Sequence, residues 1–567
     1  MGTSRVATFL SASAVRNAAV MAQLLDLFGF LSVLLRAMTL VAQTLAVGGV
    51  VFALVVARPL RVAGDDSGRA ALCSIRRLVA WSALGLAVVQ IILISINSAA
   101  LMATAELSLG EVAGANFFRA GEVMITASLG LALVARLQVR GVWHWALALA
   151  VVIIGASVMT SHAASRLTDR APLAVATAIH QAAAAAWIGG LPYLLLVLAR
   201  FSDEGVRNTL TRRFSRLALA CVSALGAAGL TLSFFYIDAV DAVYGTAYGV
   251  MVSAKVLLFG TLLLLGALNF FTVRRLGVVE TPRFNRLRRL AEVEVGIGFT
   301  VILAAASLTS VPPAADLTVD RVSLTEIGVR MAPRRPRLRS PGLEELQAPT
   351  RQALEKTAAG GPIPQSFIPG QIATYVNSPA DIAWSEYNHH WAGLMVLVAG
   401  LLQLTWSAGR AKWARHWPLV FLALAAFIFI RADPENWPLG SNGFWESFRD
   451  PEVLQHRAYA ALTVALGLFE WAVRTGRIQS ERAALVFPLI CALGGALLLT
   501  HSHSLGNVKE ELLAELTHVP LALLGVTAGW ARWLELRLPP ADRRVPSFVW
   551  PLCFVLVGVL LLLYREG

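Results

Sequence analysis

Residues 247–273 read AYGVMVSAKVLLFGTLLLLGALNFFTV. Lys255 is the one charge in this stretch. As a helix rising about 1.5 Å per residue, the stretch exceeds the roughly 30 Å of a bilayer's hydrocarbon core. Outward from it, comparable segments fall near 31–57, 78–104, 115–136, 142–161, 172–199, 214–236 and 290–311. After a polar gap they resume near 388–408, 416–431, 455–473, 483–501, 518–535 and 546–564. A chain with so many such runs is an all-α, polytopic transmembrane bundle, expected here to have fourteen spans in two modules of eight and six. In lipid only a helix or a closed barrel satisfies its own backbone polar groups.

Composition agrees. Of the 567 residues, 57% are hydrophobic and 15% charged, against about half and a quarter in soluble domains. The mean hydropathy is +0.65. The net charge of +13 would suggest nucleic acid in a soluble chain. Here the basic residues lie between apolar runs, so no nucleic-acid partner is expected and the partner is the lipid bilayer. The connections 58–77, 136–140, 200–216, 274–289, 410–415, 474–482 and 532–544 are rich in arginine, whereas the alternate short connections hold Arg166, Arg170, Arg449 and Lys509. Basic loops stay on the cytoplasmic side. With an even number of spans, both termini are then expected outside the cytoplasm.

The expected organisation is an amphipathic lead-in over 1–30, a module of eight helices over 31–313, an extracytoplasmic linker over 314–386 and a module of six helices over 387–567. The linker follows Pro312-Pro313 and carries Arg334-Arg335-Pro336 and Gly360-Gly361-Pro362, and a short helix is expected near 343–357. Four dispersed cysteines without a CxxC motif indicate neither a thiolate metal ribbon nor a disulfide framework. Nucleophile, zinc-protease and phosphate-loop motifs are absent from the sequence, and no enzyme is expected.

The chemistry-bearing residues are histidines. His144 and His416 fall on the basic side. His162, His180, His389, His390, His456, His501, His503 and His518 all fall at or near the outer ends of segments. Imidazole is a common transition-metal ligand and needs no charge neutralisation. Met159 and His162, three apart, would share a helical face. His180 lies on the next, antiparallel segment, so a thioether and two imidazoles are expected to converge as a copper site, Cu(I) or Cu(II). Glu122 and Lys255 are ionisable groups within spans and are expected along the ion's path. Glu292 and Glu294, beside Arg288 and Arg289, read as packing or orientation features. Gly189-Gly190 reads as a close helix contact. A short echo, Gly155-x4-Thr160-Ser161-His162 against Gly495-x4-Thr500-His501-Ser502-His503, suggests that the second module is a diverged copy of the first.

Several of these motifs together resemble the copper resistance protein D (CopD) family. They are Ser161-His162-Ala163, His180-Gln181-Ala182, Trp187-Ile188-Gly189-Gly190-Leu191, Tyr244-Gly245-Thr246-Ala247-Tyr248-Gly249, Lys255, Asn269, Glu292/Glu294 and Ser310-Val311-Pro312-Pro313. The resemblance covers roughly 31–313. It implies copper handling at or across the inner membrane, with copper transport as the leading expectation and a separate periplasmic copper-binding protein as donor. No soluble copper-binding domain of the kind fused in some relatives is read at either end. Two alternatives share the histidines: a haem b electron-transfer protein, with imidazoles as axial ligands, and a non-transporting factor delivering copper to an oxidase.

Overall fold

The computed structural model describes residues 31–63, 66–105, 107–137, 141–201, 203–274, 282–319, 321–343, 346, 379–449, 451–500 and 508–566. The lead-in, most of the linker and its expected helix near 343–357, and both His501 and His503 lie outside these residues. All fourteen apolar segments are helical. They are α1 (Leu31–Val56), α2 (Asp66–Thr104), α3 (Asn116–Val134), α4 (Val142–Met159), α5 (Arg170–Leu198), α6 (Glu204–Tyr236), α7 (Ala247–Arg274) and α8 (Pro282–Leu308), then α9 (Pro379–Ser407), α10 (Lys412–Arg431), α11 (Pro451–Arg474), α12 (Val486–Leu498), α13 (Val508–Arg537) and α14 (Arg544–Leu562).

Twelve of them are long and apolar enough to cross a membrane, so the expected count of fourteen is not reached among the described residues. The shortfall has two physical causes. α12 with its preceding turn runs Ala483–Leu498, about 24 Å at 1.5 Å per residue. α11 is long enough, but Gln455, His456, Arg457, Glu470 and Arg474 dilute its apolar run.

The described chain falls into two compact units. One comprises Met1–Val240, Lys255–Thr318 and Thr500–Ser504, the other Asp241–Ala254, Val319–Leu499 and Leu505–Gly567. In the first, α2 packs on α3, α3 on α4, and α5 on α6. α1 meets α5 through small residues. A Cβ on Gly48 would stand 2.2 Å from the Ala185 carbonyl oxygen, and one on Gly189 would stand 2.0 Å from that of Thr44. Backbones this close are how helices associate in lipid, where packing and not water expulsion drives contact. α5 is interrupted at Ile188–Gly190, the site of that contact. Tyr193, just beyond the break, donates its hydroxyl to the Leu45 carbonyl at 3.0 Å. Arg213 of α6 covers the open C-terminal end of α1, donating to the Val55 carbonyl at 2.7 Å.

In the second unit α12 packs on α13, α13 on α14, α14 on α9, α9 on α10 and α10 on α11. An aromatic core joins three of these helices. Trp417 and Phe421 of α10 meet Phe487 of α12 and Trp550 of α14, with Trp417 5.6 Å from Phe487 and 5.9 Å from Trp550 between ring centroids. The Arg474 guanidinium lies over both Trp417 and Trp550, at 5.0 and 5.3 Å. It also bonds Glu470 at 2.7 Å and Gln403 at 2.6 Å. The two glycines of the internal echo are not equivalent. A Cβ on Gly495 would press to 2.6 Å on Ala522, whereas one on Gly155 meets nothing within 4 Å.

The glycine contacts give a paired test. Gly189→Val cannot be relieved by a side-chain movement, because the obstacle is backbone, and should cost about 3 kcal/mol or prevent folding. Gly155→Ala should be neutral or stabilise by about 0.5 kcal/mol. Thermal unfolding in detergent measures both.

Candidate metal site

In the first unit α4 stops at Met159, because the chain turns at Thr160 and becomes extended at Ser161. His162 therefore opens a separate turn, His162–Ser165, and the helical pairing expected of Met159 with His162 does not form. Met159 is 44% exposed on the outside of α4. Thr160 accepts a hydrogen bond from Arg36 of α1 at 3.1 Å, which anchors this turn. The His162 Nε2 lies 3.1 Å from the Leu308 carbonyl oxygen. A carbonyl only accepts, so Nε2 carries the proton and Nδ1 of the neutral ring keeps its lone pair. The ring stands edge-on to Tyr236, 6.3 Å between centroids. Arg166 covers that tyrosine and pairs with Asp316 at 2.9 Å.

His180 lies ten residues into α5. Its neighbour Gln181 bonds Gln43 of α1 at 3.1 Å. The imidazole lies against the α6 backbone at Leu225 and Gly229, where a Cβ on Gly229 would be 3.8 Å from the ring. Its Nδ1 is buried and has no hydrogen-bond partner among the described residues. Lys255 of α7 is its charged neighbour. Lys255 makes no hydrogen bond or ion pair among the described residues. Neither Asp238, Asp241 nor Glu122 pairs with it, and the Glu122 side chain is exposed on α3. His180 thus offers an unsatisfied nitrogen beside an uncompensated ammonium, an arrangement suited to a ligand that is soft or that displaces water.

In the second unit the helices start before their apolar runs. Pro379 and Asp381 begin α9, and α13 begins at Val508. His389, His390 and His518 consequently sit about ten residues inside their helices, some 15 Å from the first turn, and not at the openings. The His389 Nδ1–H donates to the Ser385 carbonyl at 2.8 Å, and the His518 Nδ1–H to the Ala514 carbonyl at 2.7 Å. Both rings are thereby fixed through Nδ1 by their own helices. Such locking of one nitrogen by a carbonyl is how ligand histidines are oriented. His389 stacks on Tyr564 at 3.9 Å and lies within electrostatic range of His518. His390 differs. Its Nδ1 accepts the Arg337 N–H at 2.7 Å and its Nε2 donates to the Tyr564 carbonyl at 3.1 Å. With 2% exposure and both nitrogens in use, it clamps the chain end to α9. Arg565 and Arg337 close the same clamp on Glu386, at 3.2 and 3.4 Å. His456 of α11 donates to Asp433 at 2.7 Å, a carboxylate–imidazole pair.

The histidines therefore occupy several separate places. Among the described residues no three His, Cys, Asp or Glu side chains group as a metal cage. Sequence reasoning also grouped Glu292 with Glu294, and the structure separates them. Glu292 pairs with Arg289 at 2.5 Å and Arg288 at 3.6 Å, as expected. Glu294 turns to the opposite side, is 3% exposed and accepts from Asn269 of α7 at 2.5 Å. The signal was available, since positions two apart on a helix point about 200° apart.

The sequence profile of the family described as copper resistance protein D matches residues 208–308, which hold most of α6, all of α7 and all of α8. Copper transport protein CutJ of Bacillus subtilis (strain 168) is 34% identical over 137 residues, a match taking in 24% of this chain and 24% of that protein. No solved structure matches the chain. The groups that touch His162 (Tyr236 and Leu308) and His180 (Leu225, Gly229 and Lys255) all fall inside the matched residues. Over residues 208–308 the chain is thus similar to the copper resistance protein D family.

Proposed function

We propose that this multi-pass membrane protein carries copper ions across the bacterial cytoplasmic membrane, taking them up at its periplasmic face through neutral imidazoles. One observation supports the reading above others. The copper-family segment supplies the surroundings of both His162 and His180, so the two histidines outside the match are seated on it. The relative's name, copper transport protein, gives the direction of the inference. In this reading both termini are periplasmic, and residues 31–313 and 387–567 are the two membrane modules. A separate periplasmic copper-binding protein is the donor. Copper is the cargo, and no catalytic step is assigned.

His162 and His180 would receive the ion in the first module. A univalent soft cation suits neutral nitrogen donors, and each ring already has its proton placed or its lone pair unsatisfied. The Lys255 ammonium disfavours a second positive charge beside His180, so an ion resting there is brief and passes on. In the second module His389 and His518, fixed through Nδ1, are the proposed ligands, with His456, His501 and His503 as further candidates. Met159, on the outer face of α4, is a candidate for first capture only.

Copper retention on the purified protein, and copper uptake into proteoliposomes, test this. His162→Ala or His180→Ala should lower both by about tenfold or more, the scale on which even the outer partners of metal ligands act. His416→Ala should leave them unchanged, since its ring is held by Trp471 at 2.9 Å away from any proposed path. Equal retention in all three variants removes the site, and retention without uptake replaces transport by copper delivery. Within the second module His389→Ala should lose copper with little loss of stability. His390→Ala should keep it and lose about 2 kcal/mol, because the Arg337 N–H and Tyr564 carbonyl are left without partners. Metal analysis beside thermal unfolding separates the two.

A further inference from the structure

The inner half of the first unit contains a cavity of about 260 Å³ between α5, α6, α7 and α8. Its wall is almost wholly apolar, with Trp187 and Leu194 from α5, Phe214 from α6 and Phe270 from α7. Into this wall are set Asn269 and Glu294. Glu294 has one hydrogen-bond partner among the described residues, the Asn269 Nδ2–H, and no cation. The other end of the same amide, Asn269 Oδ1, is buried without a partner.

A buried carboxylate with one neutral donor and no counter-charge is costly. Of the charged groups on the surrounding helices, Lys255 lies about 21 Å away along α7, Arg212, Arg216 and Arg286 are exposed, and Arg207, Arg213, Arg274, Arg288 and Arg289 have partners of their own. On α6 Arg207 covers Phe284 at 4.8 Å and Arg213 bonds the Val55 carbonyl. On α7 Arg274 covers Phe270 at 5.7 Å. On α8 Arg288 and Arg289 face Glu292, and on α5 the Tyr193 hydroxyl faces Leu45. Among the described residues Glu294 is the one titratable group lining the cavity. The amide resolves the difficulty. With the carboxyl ionised, Nδ2–H donates to it. With the carboxyl protonated, its O–H needs an acceptor, and a half-turn of the amide presents Oδ1. Asn269 can thus serve both protonation states, whereas Lys there could only donate and Leu could do neither.

We propose that Glu294 is a proton-binding site served by this cavity, taking one proton from water and returning it, with Asn269 as its two-state partner. The proposal deepens the transport reading, because it gives the moving cation a proton to exchange with. Asn269 lies fourteen residues beyond Lys255 on α7, about 21 Å along the helix, so this site and the His180 site stand at different depths of one unit.

Dicyclohexylcarbodiimide, an apolar reagent, modifies protonated carboxyls in apolar surroundings and so reads the site without copper. The full-length protein in detergent micelles is treated across about pH 5.5 to 9, and adducts are located by peptide mass spectrometry. Glu294 should be modified at the acid end, with the yield falling as pH rises, while ion-paired Glu292 stays unmodified. Glu294→Gln should lose that adduct. Asn269→Leu should keep it and move the fall in yield upward by about one pH unit, a tenfold change in proton affinity. An unmodified Glu294 throughout, or a yield independent of pH, overturns the proposal. So does an unchanged profile in Asn269→Leu as regards the partner. Since the labelling uses no copper, its failure and a failure of the uptake assay are read separately.

Discussion

An ionised side chain in hydrocarbon costs about 2.5–3.5 kcal/mol even by the mildest scale, and this constraint orders the charged residues of the chain. Most are ion-paired or hydrogen-bonded in place. Glu470 and Arg474 pair between buried tryptophans, and Arg532 pairs with Glu535, which also accepts from the Trp550 indole at 2.6 Å. Arg457 spends its guanidinium on the Phe429 and Trp437 carbonyls and lies over the Phe429 ring. Arg36 is tied to Thr160. Against that background Lys255 stands apart, with neither a counter-charge nor a hydrogen bond among the described residues, and so does Glu294, a buried anion with one neutral donor. Both lie in the copper-family segment, and both adjoin a neutral group with an unused polar atom, His180 Nδ1 in one case and Asn269 Oδ1 in the other.

The helices were legible because the apolar runs are long and the basic residues between them frequent. Their ends were not. The turn at Thr160-Ser161 is fixed by Arg36 from α1, a partner 124 residues away, and nothing near Met159 in the sequence announces it. Likewise α9 and α13 begin in polar sequence, where a proline or an acidic first turn starts a helix that hydropathy alone would start later. That shift carries His389 and His518 from the helix ends toward mid-depth. The break in α5 at Gly189-Gly190 could be read in outline as a close contact, but its partner, Gly48 on α1, could not.

For the candidate site, residue type was legible and role was not. Which histidine offers a lone pair depends on which carbonyl lies opposite it. For His389 and His518 that carbonyl is four residues back on the same helix, a relation any helical histidine can adopt. For His162 it is Leu308, and for His390 it is Tyr564 together with Arg337, contacts visible only in the folded chain. His390 sits beside His389 in sequence yet is spent on holding the chain end. Glu294 was readable in part, since its angular separation from Glu292 follows from helix geometry, but its attachment to Asn269 does not.

Two features of the first unit bear on a common difficulty. A copper ion held by neutral imidazoles keeps its full charge, so its passage through hydrocarbon faces the same penalty as any ammonium. Neutral ligands lower that penalty by replacing hydration but do not cancel the charge. A carboxyl that gives up its proton as the cation arrives does cancel it. Under the proposed exchange the net charge of the region between α5 and α8 stays constant, and neither the free carboxylate nor the bare cation need persist there. Lys255 then has a consistent place at the other depth. In the proposed pathway, repulsion of a resting cation near His180 would keep that site from becoming a trap, which a path of several sites requires if its ion is to leave.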